Sequence, residues 1–349
     1  MASRGATIHD VAASAEVSIA TVSRVIHSHD GVSDSTRERV LRAIEKLSYT
    51  PNESGRALAN RKHDTLAFVV PGLSGPFFGE VVQGCSGQAL THQKAVLVLS
   101  THMLPGANRQ IQSLVGRVDG IAIMGGTVSL DVIEQVQRSG KPLVLVSQHP
   151  VNGIPTVRVD NVGGTVSLVK HLVHDHGYKH FAFAGTIEGS PDAQDRWDAL
   201  SSTLEEAGIS PPTEAIPAAF DFNAGESVAR YLVAQPELPD VLICANDQIA
   251  VGTIAALSGR GIRVPQDMAI TGWDDIEISA HMVPSLTTVR QPVHTLGIQT
   301  SNTLLALLNG DAVEADFVIP TDLVTRESCG CVSHTRTAHQ DERSVAVHD

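Results

Sequence analysis

From Thr65 onward, short apolar runs rich in β-branched residues alternate with segments long enough to form helices. Alternation of this kind is typical of a parallel sheet whose strands are joined by crossover helices. Four runs come first and three follow after a gap, at residues 66–70, 95–100, 120–124 and 143–147, then 181–185, 241–245 and 268–272. The sequence therefore predicts two successive, doubly wound α/β subdomains. Ligands of such sheets bind at the carboxyl ends of the strands, so we expect a cleft between the two subdomains.

The first sixty residues have a different pattern, that of three short helices. Thr7 followed by Asp10 is a capping-box signature, and Ser18 and Ser33 can cap a second and a third helix. Because only about two residues separate the first two helices, they must cross steeply, which predicts a helix-turn-helix.

Charge separates the same two parts of the chain. The whole chain carries a net charge of −13, yet residues 1–62 contain nine Lys and Arg against seven Asp and Glu. A mildly basic head on an acidic body indicates a separate N-terminal module with a polyanionic partner.

Composition also predicts the compartment. No apolar run approaches the ~18–20 residues of a membrane span, and the first residues lack the apolar stretch of a signal peptide. The four cysteines are too few and too scattered for a disulfide framework. We expect a cytoplasmic protein that contacts no membrane.

Specific motifs then identify a family resemblance. Residues 7–58 read TIHDVAASAEVSIATVSRVIHSHDGVSDSTRERVLRAIEKLSYTPNESGRAL. Further motifs follow in order, namely VVPGLSGPFF (69–78), VDN (159–161), CANDQIAVG (244–252), GWDDIE (272–277), SLTTVRQP (285–292) and LVTRES (323–328). Together they resemble the lactose-repressor/galactose-repressor (LacI/GalR) family of transcription regulators.

That resemblance implies an all-α helix-turn-helix head, a hinge helix, and a core of two subdomains similar to periplasmic sugar-binding proteins. The expected boundaries are 1–50 for the head, 51–62 for the hinge and linker, 63–160 with 292–322 for the N-terminal core subdomain, 161–291 with 323–328 for the C-terminal core subdomain, and 329–349 for a disordered tail.

The resemblance also assigns DNA contacts. In such heads the second helix enters the major groove. The base readers would be Ile19, Ala20 and Arg24, and the hydroxyls suited to phosphates, or only to helix capping, are Thr7, Ser18, Thr21, Ser23, Ser33 and Thr36. Glu16 stands where the family usually has glycine, so we expect backbone strain there.

Residues 52–59 match the hinge, with Asn52, Gly55 and Leu58 as DNA contacts. A helix of two turns that contains a glycine is unstable alone. We therefore predict that the hinge becomes helical only in a dimer on DNA. The family resemblance makes Leu58 the apolar wedge that enters the minor groove there.

For the core, the family pattern implies a set of ligand-binding residues. They are Arg196, Asp274, Asn246 and Phe220, with Phe77, Asp192, Gln148 and Trp273 less secure. Planar polar groups and aromatic faces suit a neutral sugar or glycoside. Purines and other small metabolites remain open.

Other features indicate neither an enzyme nor a metal protein. The sequence has no nucleophile elbow, P-loop or zinc-protease motif, and we expect no cofactor. His171, His174, His176 and His180 are predicted to lie at a solvated helix end, and Cys329, Cys331 and His334 to lie in a tail without a fold. No metal site is expected.

The leading hypothesis is a sequence-specific transcription regulator, most simply a repressor. It would bind a pseudo-palindromic operator as a homodimer and respond to a small molecule in the cleft. A tetramer is not favoured, because the tail lacks an apolar heptad repeat. Two alternatives are a solute-binding protein and an α/β enzyme with a regulatory head.

Overall fold

The computed structural model describes residues 6–26, 31–49, 62–101, 104 and 106–332. They divide into two compact units, one made of the described residues up to His63 and the other of those from Asp64 onward. The predicted hinge residues Asn52, Gly55 and Leu58 lie outside the described residues.

Three helices build the described part of the N-terminal unit. They are α1 (Ile8–Ser14), α2 (Ile19–Ile26) and α3 (Asp34–Lys46). Val11, Val22 and Val40, one from each helix, are fully buried against one another. The predicted helix-turn-helix is thus confirmed, with a small aliphatic core that holds α2 across α1.

Hydroxyl side chains fix where these helices begin. Thr7 and Asp10 form the predicted capping box, in which the Thr7 backbone N–H donates to Asp10 Oδ2 at 2.8 Å. Ser18 Oγ accepts from the Thr21 backbone N–H at 3.1 Å, and Ser33 caps α3 in the same way. Such caps satisfy donors that the helix leaves unpaired.

The turn between α1 and α2 is strained as predicted, because Glu16 has φ of +53°. We expect Glu16→Gly to stabilise the head by about 1 kcal/mol, since only glycine adopts this region without a Cβ penalty. Native-state hydrogen exchange of the α1 and α2 amides in the full chain measures this difference. A Glu16→Ala control, which keeps the Cβ, should show no gain.

In the described part of the second unit, eleven strands form two sheets. The strands are β1 (Thr65–Val70), β2 (Ala95–Ser100), β3 (Gly120–Met124), β4 (Leu143–Val146), β5 (Thr156–Val159), β6 (Phe181–Ala184), β7 (Val241–Cys244), β8 (Ala269–Asp274), β9 (Thr287–Arg290), β10 (Asp316–Ile319) and β11 (Asp322–Val324). One sheet has the order β10-β5-β4-β3-β1-β2 and is parallel throughout. The other has the order β11-β9-β8-β7-β6, with only β11 antiparallel.

Helices cover both sheets, as parallel strands require. They are α4 (Pro76–Thr91), α5 (Ala107–Val115), α6 (Leu130–Arg138), α7 (Asn161–His174), α8 (Pro191–Glu206), α9 (Ala224–Val233), α10 (Asp247–Ser258), α11 (Glu277–His281) and α12 (Val293–Asn309). None of the described helices is both long and apolar enough to cross a bilayer.

The chain passes between the two subdomains three times. It crosses from β5 to α7, from β9 to α12, and from β10 to β11, so each sheet includes strands from distant parts of the sequence. The predicted pair of doubly wound subdomains is confirmed, and each contains its own buried core.

The end of the chain differs from its prediction. A 3-10 helix covers Glu327–Cys329, and the Cys329 side chain is fully buried against the C-terminal subdomain. The expectation of disorder from residue 329 is therefore wrong for residues 329–332, because long-range packing orders a segment that has no periodicity of its own. Residues 333–349, including His334, lie outside the described residues.

Candidate functional site

A cleft of about 290 Å³ lies between the two core subdomains, at the carboxyl ends of their strands. Its wall includes Pro71 after β1, Gly125 after β3, Ser147 after β4, Asn246 after β7 and Asp274 at the end of β8. Six of the eight residues predicted to bind a ligand line it, namely Phe77, Asp192, Arg196, Phe220, Asn246 and Asp274.

Arg196, on α8, is the buried cation of the cleft. Its Nε donates to Asn161 Oδ1 at 2.9 Å and its Nη1 to the Ala245 carbonyl at 2.6 Å. The guanidinium lies 4.2 Å from the centre of the Trp273 ring, which is itself buried. These contacts hold the planar group in one orientation, and an arginine remains charged even where burial lowers its pKa.

Two carboxyl groups accompany this charge. Asp192 accepts a hydrogen bond from Asn161 Nδ2 at 2.8 Å, and Asp274 accepts one from Gln291 Nε2. Burial raises the pKa of Asp192 and raises that of Asp274 well above its usual value, while the Arg196 charge opposes both shifts. The three groups together offer fixed donors and acceptors to a polar ligand.

Behind this layer, Asp247 is buried at the start of α10. Its carboxylate accepts from Thr288 Oγ1 at 2.6 Å, from Ser279 Oγ at 2.7 Å and from the Ile276 backbone N–H at 2.9 Å. Burial nevertheless outweighs these bonds and raises the pKa of Asp247 to about 6. These contacts tie the start of α10 to Ile276, to α11 and to β9, beside the end of β8 that carries Asp274.

This pKa predicts a pH-dependent contribution to stability. A carboxyl pKa that is raised in the folded state favours folding when the group is protonated, so the contribution is present below about pH 4 and is lost as pH rises through about 6. We expect the difference in unfolding free energy between the wild type and Asp247→Asn to fall by about 2 to 3 kcal/mol from pH 4 to pH 7. Urea denaturation at each pH measures this difference, and a constant difference contradicts it.

Aromatic side chains supply the apolar part of the wall. Phe77 and Phe78, at the start of α4, pack edge to face with ring centres 5.2 Å apart. Phe220, from the other subdomain, is 39% exposed. A sugar combines hydroxyl groups with C–H faces, so polar anchors between aromatic walls match its chemistry.

The structure places the other two predicted ligand residues elsewhere. Gln148 is not among the lining residues, whereas its neighbour Ser147 is, with φ of +51°. Trp273 lies behind Arg196 and does not line the cleft. Their roles as ligand contacts remain predictions.

Sequence reasoning also missed two glutamines of the wall. Gln248 lies two residues after the predicted Asn246, and Gln291 is the next-to-last residue of the motif SLTTVRQP. Asn246 Oδ1 caps α10 by accepting from the Ile249 backbone N–H at 3.0 Å, which leaves its amide NH₂ for a ligand. Both glutamines belong to motifs that carry the family resemblance. Membership in those motifs is the one sequence signal that could have identified them.

The two subdomains approach each other closely around the cleft. A Cβ on Gly126 would lie 1.9 Å from the Gly189 carbonyl oxygen, and one on Gly75 would lie 2.5 Å from Gln248 Oε1. His149 Nε2 and Asp195 Oδ1 form a further contact of 2.7 Å between the subdomains. Glycine at 75 and 126 therefore permits the two sides of the cleft to meet.

In the N-terminal unit, α2 presents the predicted DNA-reading face. Ile19 is 41% exposed, Ala20 and Arg24 are also exposed, and Thr21 and Ser23 are half-buried. The remaining predicted hydroxyls lie at helix starts, where Thr7, Ser18 and Ser33 act as caps and Thr36 accepts from Ser33 Oγ at 2.9 Å. Hydroxyls and backbone N–H groups at helix N-termini are typical phosphate contacts, so the phosphate-binding role of these residues stays a prediction.

Comparison with known proteins adds two family matches. Residues 7–52 match the model of bacterial regulatory proteins of the lacI family, and residues 169–329 match a periplasmic binding protein-like domain. Catabolite control protein A of Priestia megaterium is 30% identical over 329 residues, which cover 92% of this chain and 98% of that protein.

Solved structures agree over the same length. The lac repressor dimer bound to operator and the anti-inducer ONPF superposes with a TM-score of 0.83 at 27% identity, covering 93% of this chain and 99% of that one. The complex of the transcriptional regulator CelR with cellobiose has a TM-score of 0.69 at 28% identity, with the same coverage. The likeness thus extends over head and core alike.

Proposed function

Because this chain belongs to the LacI family of bacterial regulatory proteins and is a DNA-binding regulator of transcription, we propose that it is a homodimeric, cytoplasmic repressor controlled by a sugar in its cleft. Two relatives support the ligand class and the assembly. CelR is solved with cellobiose, and the lac repressor is solved as a dimer on its operator.

The arrangement around Arg196 carries the proposal for the ligand. A guanidinium fixed by Asn161 and Ala245 faces a cleft that Asp192 and Asp274 also line. Hydroxyl groups can donate to the oxygens of the two carboxyl groups and accept from the arginine, whichever of the carboxyl groups is ionised. A neutral sugar satisfies all three groups at once.

The control mechanism follows from where the cleft lies. A ligand that contacts both subdomains favours one of their relative orientations, because it gains contacts only in that arrangement. The heads of a dimer then bind the two half-sites of a pseudo-palindrome in one orientation better than in the other. An inducer would loosen operator binding and a corepressor would tighten it.

A thermal-shift screen against sugars and purines identifies the effector, since a ligand of the native state raises the melting temperature. We expect a neutral sugar to give the largest shift. A shift with purines alone overturns the ligand class but leaves DNA binding untouched.

DNA binding is tested separately with a duplex selected by the protein from a random library. Arg24→Ala should weaken binding by about 1 to 3 kcal/mol per half-site and relax the preference at one base pair of each half-site, because arginine pairs with guanine through two hydrogen bonds. The matched control is Arg263→Ala, which removes a 69% exposed side chain from the core unit. A steep salt dependence is also expected, and equal effects of the two substitutions contradict the role of Arg24.

A further inference from the structure

Four side chains that can bind a metal ion meet at the end of α7. His171 lies in the last turn of that helix, His176 follows it, and Cys329 and Cys331 come from the end of the described chain. Their ligand atoms all lie within 4.8 Å of one another. None of the four belongs to the effector cleft.

Four of the six distances among these atoms are close to those of a tetrahedral shell, and all six are within 4.8 Å. The two histidine Nε2 atoms are 3.2 Å apart, and Cys331 Sγ lies 3.5 Å from His171 Nε2 and 3.4 Å from His176 Nε2. Cys329 Sγ lies 3.6 Å from His171 Nε2. In tetrahedral zinc, the bonds are about 2.3 Å to sulfur and 2.0 to 2.1 Å to nitrogen. Two ligand atoms are then about 3.6 Å apart when one is sulfur and the other nitrogen, and about 3.4 Å apart when both are nitrogen.

We propose that His171, His176, Cys329 and Cys331 form a structural zinc site. Two thiolates and two imidazoles in tetrahedral geometry are the ligand set that selects Zn²⁺. Four protein ligands complete the coordination shell and leave no open position for substrate or catalytic water, so the site is structural rather than catalytic.

The groups around the ligands support this assignment independently. His171 Nδ1 lies 2.7 Å from the carboxylate of Asp175, so an N–H at Nδ1 would donate to that carboxylate and leave Nε2, which faces the other ligands, able to bind a metal ion. A carboxylate behind a histidine is the usual outer partner of a zinc ligand. Thr287 Oγ1, 3.0 Å from Cys329 Sγ, can donate a hydrogen bond to the thiolate.

The backbone turn at Gly330, between the two cysteines, also fits a metal site. Gly330 has φ of +101°, and a Cβ there would lie 3.3 Å from His176 Nδ1. Tyr178 stacks on the His176 ring with centres 5.4 Å apart and donates its hydroxyl proton to the Cys329 carbonyl at 2.9 Å. A tight glycine turn thus directs both thiols toward the histidines.

The proposed ion would fasten the end of the described chain to α7. The first residue of that helix, Asn161, bonds both Arg196 and Asp192, while its last turn carries His171. Zinc would therefore anchor one end of a helix whose other end supports the cleft. The four proposed ligands are spaced in the sequence as His-x₄-His and Cys-x-Cys, and more than 150 residues separate the two pairs. This spacing is unlike that of a zinc finger.

Metal analysis of the full, untagged chain tests the proposal. After incubation with ZnCl₂ under reducing conditions and removal of the excess, we expect one zinc ion per chain. Cys331→Ser and His176→Gln should lose it, while the controls His174→Gln, on the exposed face of α7, and Cys85→Ser, in the other subdomain, should keep it. A zinc-free wild type, or full zinc in both ligand variants, overturns the site.

Cobalt gives a second readout that does not depend on the variants folding equally well. Loading the wild type with Co²⁺ should produce the visible bands of tetrahedral cobalt and a thiolate-to-metal charge-transfer band. An octahedral spectrum without the charge-transfer band contradicts the proposal.

The outer carboxylate offers a graded test. Asp175→Asn should weaken zinc affinity by about 10- to 100-fold while leaving one ion bound at saturation. Competition with a chromophoric chelator measures this shift. Unchanged affinity would show that Asp175 does not orient a metal ligand, and would count against the site.

Discussion

Replacement of Arg196 by methionine should reduce the affinity of the cleft for its sugar by more than about 100-fold. The guanidinium is buried, fixed by Asn161 and the Ala245 carbonyl, and accompanied by Asp192 and Asp274. A hydrogen bond from a charged group contributes about 1.5 to 3 kcal/mol, and a guanidinium can offer two to one ligand. Isothermal titration with the sugar found by thermal shift measures the loss.

The same substitution should also lower the unfolding free energy, by about 3 to 5 kcal/mol, because it leaves buried carboxyl groups without their cation. Circular dichroism and the melting temperature show whether the variant is folded where binding is measured. The matched control is Arg263→Met, since Arg263 pairs with Asp267 at 2.6 Å on the exposed surface. Retained sugar affinity in folded Arg196→Met would exclude Arg196 from the ligand site.

Leu58→Ala should weaken operator binding by about 100-fold or more without changing sugar affinity. The family resemblance makes Leu58 the wedge that parts a base step in the minor groove, and each dimer inserts two. The free energy that unstacking costs is recovered only through the wider protein contact with the bent duplex. A side chain too short to insert does not bend the duplex, so operator binding loses that contact, which contributes several kcal/mol. Fluorescence anisotropy with the selected operator measures the change.

The control for this variant is Leu41→Ala, which shortens a 51% exposed leucine on α3. It should leave operator affinity within a few-fold of the wild type. Equal operator affinities for Leu58→Ala and the wild type would remove the wedge from the mechanism.

Local patterns predicted most of the fold. All seven apolar runs form strands, and the three capping serines and threonines begin three helices. The strands that escaped prediction are β5, β9, β10 and β11, which read TVRV, TTVR, DFVI and DLV. Each is three or four residues long and contains a polar residue, so its strand character comes from its neighbours in the sheet.

The cleft was predictable in its chemistry but not in every contact. Gln148 was implied by the family pattern, yet its neighbour Ser147, with a left-handed backbone, is the residue that lines the wall. Gln248 reaches the wall through its approach to Gly75, in the other subdomain. Turn geometry and contacts between the subdomains decide which side chains line the cleft. Neither can be inferred from the residue type alone.

The histidine–cysteine cluster shows the same limit more strongly. Each half has a plain explanation by itself, as a helix end or as a tail. Only the fold brings Cys329 and Cys331 against α7, because β11 pairs with β9 and returns the chain to the C-terminal subdomain. Contacts across so long a stretch of sequence cannot be inferred from spacing.

Coupling between the cleft and DNA is measured most directly by operator affinity with and without a saturating concentration of the sugar that binds. We predict a change of roughly 5- to 150-fold, in either direction, that disappears in Arg196→Met. A sugar that saturates the cleft while the wild-type protein binds its operator with unchanged affinity would contradict control by an effector.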